Sequence, residues 1–201
     1  MPLARYFAGE FEPAPLPAGE KPHEAQHKGT SPRQAEERMK AIQDSLTQTL
    51  GMEVRWTDEG DVAFIGTTER RMLHALRSLA AWHEYPQQAE FVLLEEPRDH
   101  SSLKRIYRGD QTGYPHLMRH SDNRGFWFPV DYPEPAQCNE AGWWLIGSSL
   151  GLRRELDRIA LLIEALPPGA DREFLENAHT FFVRAVAAAN EHELPVIIEG
   201  S

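Results

Sequence analysis

Residues 113–130, with the sequence GYPHLMRHSDNRGFWFPV, hold the densest group of side chains that could do chemistry. Histidine titrates near neutral pH and arginine binds anions through a bidentate fork. His120 could therefore act as a general base oriented by Asp122, while Arg119 or Arg124 holds an anionic or phosphoester group. These four residues are the candidate catalytic site, although their order matches no diagnostic motif.

His116, His120 and Asp122 are also weak candidates for a metal site, because imidazole nitrogen and carboxylate oxygen suit a divalent ion. The neighbouring Gly, Pro, Ser, Asp and Asn residues favour extended or turn structure. In a strand His116 and His120 would lie about 13 Å apart, which is too far for one ion to bridge. No metal and no cofactor are therefore predicted.

Aromatic residues crowd the same region and suggest a surface for a partner. Trp, Tyr and Arg are typical of interface hot spots, which makes Arg119, Arg124, Trp127, Tyr114 and Trp143 the candidate binding residues. Their role depends on exposure. If Trp127, Arg119 and Arg124 face solvent together, the segment is a docking surface, whereas burial or internal pairing would make it chiefly architecture.

An edge hairpin is the predicted framework for these side chains. Residues 116–120 and 126–130 form its strands, and 121–125 supply the Asn, Asp and Gly that a loop needs. Pro129 cannot donate a ladder hydrogen bond, which favours an edge position for the returning strand.

Hydrophobic periodicity and capping signals predict the remaining elements. Helices are expected at 31–50, 69–85, 103–108, 150–166 and 171–190, and strands at 53–56, 62–65, 91–94, 143–146 and 195–198. The sequence GSSLG at 147–151 is typical of a helix cap. Strands and helices do not alternate regularly, so the expected fold class is α+β, with a mixed or largely antiparallel sheet and about four main helices packed against it.

Composition bounds the organisation of the 201-residue chain. Residues 1–30 are rich in Pro, Gly, Glu and Lys and predict a flexible or docked arm, which leaves one α+β domain at 31–201. Cys138 is the only cysteine, so an internal disulfide is excluded. No signal peptide or long apolar run is present, and we expect a cytoplasmic protein with no membrane contact.

The net charge of −10 is unevenly distributed. Lys, Arg, Asp and Glu sum to −6 in residues 1–97, to +3 in 98–130 and to −7 in 131–201. Such an acidic chain is disfavoured as a general nucleic-acid binder, because phosphate contacts need a basic face. The basic segment 98–130 either holds an anion or pairs with its own acidic neighbours.

The leading functional hypothesis is an intracellular, bacterial, non-enzymatic protein-interaction module, such as an immunity or antitoxin-like protein that binds a basic partner. One alternative is a hydrolase or other enzyme that acts on an anionic or phosphoester substrate through the His/Asp/Arg site. Another is a nucleic-acid-binding protein that uses the basic segment 98–130. The sequence predicts no oligomeric state.

Overall fold

The computed structural model describes residues 32–51, 53, 70–119, 126–138 and 144–197. The chain divides into two units, Met1–Val62 and Ala63–Ser201, and each is described by itself. An arm at 1–30 followed by one domain at 31–201 stays a prediction. No helix in the described ranges combines the length and the apolar composition that a membrane crossing requires.

The first unit contains helix α1, Pro32–Leu50. Proline at the first position costs no hydrogen bond, because the first N–H groups of a helix have no partner within it. Gly51 follows with a φ of +64°, and its N–H donates to the Thr47 carbonyl over 3.0 Å. A glycine in this left-handed conformation is a common helix terminator, and the predicted helix is confirmed.

The second unit holds all other described elements. In chain order these are α2 (Arg70–Glu84), a 3-10 turn (Pro97–Asp99), α3 (Ser101–Tyr107), α4 (Pro115–Met118), β1 (Phe126–Phe128), β2 (Ala136–Cys138), β3 (Trp144–Ser148), α5 (Ser149–Glu164), α6 (Ala170–Glu191) and β4 (Val196–Ile197). The three long predicted helices of this unit are confirmed, and so is the short helix at α3. Strand β2 was missed because its region reads as a proline-punctuated loop.

The sheet is small and has the strand order β2-β3-β1-β4. Its central strands β1 and β3 run parallel, with Trp127 opposite Gly147, and the short outer strands pair antiparallel to them. The α+β class is therefore confirmed in outline. Of the two expected sheet types, mixed or largely antiparallel, the sheet is mixed, and the largely antiparallel type is wrong because β1 and β3 form a parallel pair at the centre.

The predicted edge hairpin is wrong. Pro115 begins the one-turn helix α4 where a strand was expected, and proline is well suited to the first helical position. Strand β1 ends at Phe128, so Pro129 follows the ladder and removes no hydrogen bond from it. With β3 on one side and β4 on the other, β1 is an inner strand.

Two further strand predictions have different outcomes. Residues 91–94 join no sheet, so the strand expected there is absent. The predicted hairpin of 53–56 and 62–65 falls almost wholly outside the described residues.

The core of the second unit lies between α2, α5, α6 and the sheet. Helices α5 and α6 contribute apolar stripes that face α2 and one another. The largest fully buried apolar side chains of this core are Trp127, Phe182, Leu76, Leu79, Leu103, Leu117, Met118 and Leu152. Residues 114–118 and 126–128 of the segment 113–130 are therefore buried in this core.

Candidate functional site

Helix α4 is only four residues long and is buried throughout. A single isolated turn is unstable in water, because its nucleation fixes many dihedral angles for one or two hydrogen bonds. The backbone groups of α4 must therefore be satisfied by side chains from elsewhere in the fold.

Glu155 of α5 satisfies the beginning of this helix. Its carboxylate oxygens accept from the His116 N–H over 2.9 Å and from the Leu117 N–H over 2.7 Å. Only 3% of Glu155 is exposed, and this burial raises its pKa to about 7, while the two N–H donors oppose the rise. The residue thus acts as a helix cap supplied by another helix, and a negative charge at that end matches the helix dipole.

Donors from α2 and β1 satisfy the other end of α4. The Arg77 Nε donates to the Leu117 carbonyl over 2.7 Å, and the Trp127 Nε1 donates to the His116 carbonyl over 2.8 Å. Arg77 is only 1% exposed. Its guanidinium places positive charge at the carboxyl end of the helix, again in the sense that the dipole favours.

The His116 side chain is locked by strand β3 and by the loop between β1 and β2. Its Nδ1 accepts from the Ser148 N–H over 3.0 Å, and its Nε2 lies 2.9 Å from the Tyr132 carbonyl oxygen. A carbonyl only accepts, so the hydrogen is on Nε2 and the ring is neutral. Burial lowers the pKa of His116, which keeps it in that form.

Two glycines make room for these buried rings. A Cβ on Gly151 would overlap the His116 imidazole, and one on Gly147 would overlap the Trp127 indole. Gly151 also donates its N–H to the Ser148 hydroxyl oxygen over 2.8 Å, which caps α5. The capping role predicted for residues 147–151 is therefore confirmed.

A Gly151→Ala variant is expected to lose about 1–3 kcal/mol of unfolding free energy, because a locked imidazole cannot retreat from the added methyl group. Gly169 is the matched control, since a Cβ there meets no atom within 4 Å. Thermal and urea unfolding of both variants would check the difference. Equal stabilities for the two variants would contradict the proposed close contact.

Of the residues predicted from the sequence as a site, only Tyr114, His116, Arg119 and Trp127 lie within the described ranges. Tyr114 and Trp127 are 5% and 0% exposed, so their aromatic faces lie in the core and offer no surface to a partner. Arg119 is exposed but pairs with Glu134 over 3.0 Å. The remaining candidates, His120, Asp122, Arg124 and Trp143, lie outside the described residues.

His116 offers no ring nitrogen to a metal ion, because both nitrogens already have backbone partners. Across the described ranges, no group of three or more His, Cys, Asp or Glu side chains is arranged to hold an ion. Of the weak metal candidates, His116 is therefore engaged within the fold, while His120 and Asp122 lie outside the described residues.

An open cleft of about 490 Å³ runs beside α4. Its wall includes Gly113, Pro115, His116, Pro133, Gly151, Arg154, Glu155, Asp157 and Arg158. Arg154 pairs with Asp131 over 2.6 Å, Asp157 pairs with Arg153 over 2.9 Å, and Arg158 donates to the Gly113 carbonyl. The charged groups of the wall are thus engaged within the protein and form no catalytic constellation.

Three cations in the described part of the basic segment 98–130 pair with neighbouring acids. Lys104 pairs with Asp99 over 2.9 Å, and Arg105 pairs with Asp110 over 2.8 Å. Together with the Arg119 pair, these contacts interrupt any continuous basic face on the described part of the segment. Of the two roles considered for this basic segment, pairing with acidic neighbours accounts for these three cations.

Exposed glutamates gather where residues 90–96, the end of α5 and the start of α6 meet, and we call this region the acidic end. Five glutamates there are exposed and have no ion-pair partner within the described residues: Glu90, Glu95, Glu96, Glu164 and Glu173. Contacts bring their segments together, because Asp171 accepts from the Leu93 N–H over 3.1 Å and Arg172 donates to the Glu164 carbonyl over 3.2 Å. The sequence could not identify these five glutamates, because only the structure shows which carboxylates are exposed and which have an ion-pair partner.

A protein-family model described as "Putative DNA-mimic protein" matches residues 21–194. No curated protein and no solved structure gives a significant match. DNA mimicry points to the binding of DNA-binding proteins, and it corrects the predicted immunity or antitoxin-like function and its enzymatic and nucleic-acid-binding alternatives. The matched region spans most of the chain, from before α1 to the end of α6, and the chain therefore belongs to the family described as "Putative DNA-mimic protein".

Proposed function

We propose that this chain binds the DNA-contacting surface of a DNA-binding protein and competes there with duplex DNA. Membership of the DNA-mimic family is the observation that carries the proposal. The protein partner expected from the sequence remains part of the proposal. It changes from an unspecified basic protein to a DNA-binding protein whose DNA site this chain would occupy.

The charge of the chain fits this role. Duplex DNA presents a dense array of negative charge, and its partners answer with Lys and Arg side chains. The chain has a net charge of −10, and the carboxylates exposed at the acidic end have no ion-pair partner in the part of the chain that the structure describes. A cationic DNA site would be attracted to such a surface, and added salt would weaken the attraction.

Helix stabilisation alone does not account for the carboxylates of the acidic end. Glu173 lies in the first turn of α6, where a carboxylate favours the helix dipole. Glu90 and Glu95 lie outside any helix, and Glu96 precedes a 3-10 turn without capping it through its side chain. The described contacts give these three carboxylates no part in holding the fold, and a cationic partner would be attracted to them.

Displacement of a fluorescently labelled duplex would test the proposal. The probes are a purified helix–turn–helix repressor, which reads the major groove, and a purified architectural nucleoid protein, which binds the minor groove. We expect the full chain to release the duplex from at least one of them, with release weakening as salt rises from about 50 to 200 mM.

An unrelated protein of similar size and net charge is the control for this experiment. Release of the duplex by the chain alone would support mimicry of DNA. Failure to displace the duplex from either probe, or equal displacement by the control protein, would contradict it. The bacterial origin and cytoplasmic location expected from the sequence remain predictions.

A further inference from the structure

Residues 90–96, with the sequence EFVLLEE, lie between α2 and the 3-10 turn and belong to no helix or sheet. Their side chains nevertheless alternate, since Phe91 and Leu93 pack against the core while Val92 and Leu94 are 48% and 36% exposed. Such alternation is the period of an extended chain with one inner and one outer face.

The inner face of this segment is firmly anchored. The Phe91 ring meets the Trp82 ring edge-on and stacks on the His100 ring, each at a centroid distance of 5.8 Å. Two residues later, the Leu93 N–H donates to the Asp171 carboxylate over 3.1 Å. The outer face is therefore presented from a fixed backbone.

A third anchor lies at the end of the segment. The Arg71 Nε donates to the Glu95 carbonyl over 3.0 Å, and the same guanidinium lies 4.5 Å from the centre of the Phe174 ring. Arg71 is thus held by a backbone carbonyl and an aromatic face, while the Glu95 carboxylate remains without an ion pair in the described part of the chain.

The outer face combines exposed apolar side chains with carboxylates. Val92 and Leu94 are two of the four large apolar side chains that are exposed among the described residues. By the same alternation Glu90 and Glu96 belong to the outer face, and Glu95, in the bend at residues 95 and 96, is exposed as well. None of these three carboxylates has an ion-pair partner within the described residues. Lys and Arg side chains match this mixture, because each has an apolar stem that packs on hydrocarbon and a charged head that pairs with carboxylate.

We propose that the outer face of residues 90–96 is the docking surface for the Lys- and Arg-rich DNA site of the partner. Val92 and Leu94 contact the apolar stems, and Glu90, Glu95 and Glu96 bind the charged heads. This inference rests on the proposed function. It adds the location of the docking surface and an apolar contribution to the binding affinity.

The test uses the full chain and whichever purified DNA-binding probe it displaces from duplex. A Glu95→Lys/Glu96→Lys variant is expected to bind that probe at least about tenfold more weakly and with a smaller salt dependence. The matched control is Glu191→Lys/Glu193→Lys, which changes the net charge by the same amount. Glu191 is the last residue of α6, Glu193 lies two residues after it, and both are exposed. We expect the control to stay within about threefold of the wild-type affinity.

Leu94→Ser tests the apolar contribution, and we expect its affinity to fall about threefold to tenfold without a change in salt dependence. Circular dichroism and sedimentation would establish that each variant is folded and has the wild-type association state. A dimer that Leu94→Ser dissociates, without loss of probe binding, would assign the surface to a second copy and overturn the proposal.

Two outcomes separate this inference from the proposed function. If the wild type displaces duplex but both charge-reversed pairs weaken binding equally, the docking surface is wrong and the proposed function stands. If the wild type displaces duplex from neither probe, the proposed function fails and the docking surface fails with it.

Discussion

A Glu155→Ala variant is expected to unfold with a free energy about 2–5 kcal/mol lower than that of the wild type. The substitution leaves the buried N–H groups of His116 and Leu117 without acceptors, and each unsatisfied buried donor costs about 1–3 kcal/mol. Urea unfolding of the full chain, followed by circular dichroism at pH 7, measures the loss.

Glu164 provides the control, since it lies on the same helix but is exposed and has no ion pair within the described ranges. Glu164→Ala is expected to change stability by less than about 0.5 kcal/mol. Glu155→Gln retains one acceptor oxygen, so its free energy of unfolding should lie between those of Glu155→Ala and Glu164→Ala. A Glu155→Ala variant as stable as Glu164→Ala would contradict the capping of α4 by this carboxylate.

The long helices of the second unit could be predicted because their apolar residues recur at helical spacing over 15 or more positions. Helix α4 could not, because four residues show no period. The turn-forming residues around Pro115 are compatible with a hairpin as well as with a helical turn. The choice between them is made by Glu155 and Arg77, which are distant in sequence and satisfy the backbone of α4.

Those two charged residues did carry a signal in the sequence. Glu155 lies three residues after Leu152 and four before Ile159, and so falls on the buried stripe of α5. Arg77 lies four residues after Leu73, on the buried side of α2. A charged residue on an apolar stripe predicts a buried polar contact, although its partner becomes known only from the fold.

The chemistry that concentrates in residues 113–130 has a structural purpose in the described part of the segment. His116 and Trp127 use their polar atoms to join α4 to β1, β3 and the loop before β2. Residue type alone could not distinguish this network from a catalytic site, since both need histidine and hydrogen-bond donors at short range. The structure distinguishes them because the His116 ring is buried and both of its nitrogens are already hydrogen-bonded.

Stability should fall by about 3 kcal/mol between pH 4.5 and 7 through Glu155 alone. Burial raises its pKa from an ordinary value of 4.5 to about 7, so within this window the folded chain holds a proton that the unfolded chain has lost. The contribution is fully present below pH 4.5 and is lost as pH rises to about 7, at about 1.4 kcal/mol per pKa unit.

His116 acts in the opposite direction, because burial lowers its pKa and the unfolded chain takes up its proton first as pH falls. The effect of Glu155 is therefore read from the difference between the wild type and Glu155→Gln, in which His116 is common to both. Urea unfolding at pH 4.5, 5.5, 6.5 and 7.5 should show that difference shifting against the wild type by about 3 kcal/mol. Parallel pH profiles for the two proteins would mean that the pKa of Glu155 in the fold stays near its ordinary value, because its two N–H donors offset the cost of burying its charge.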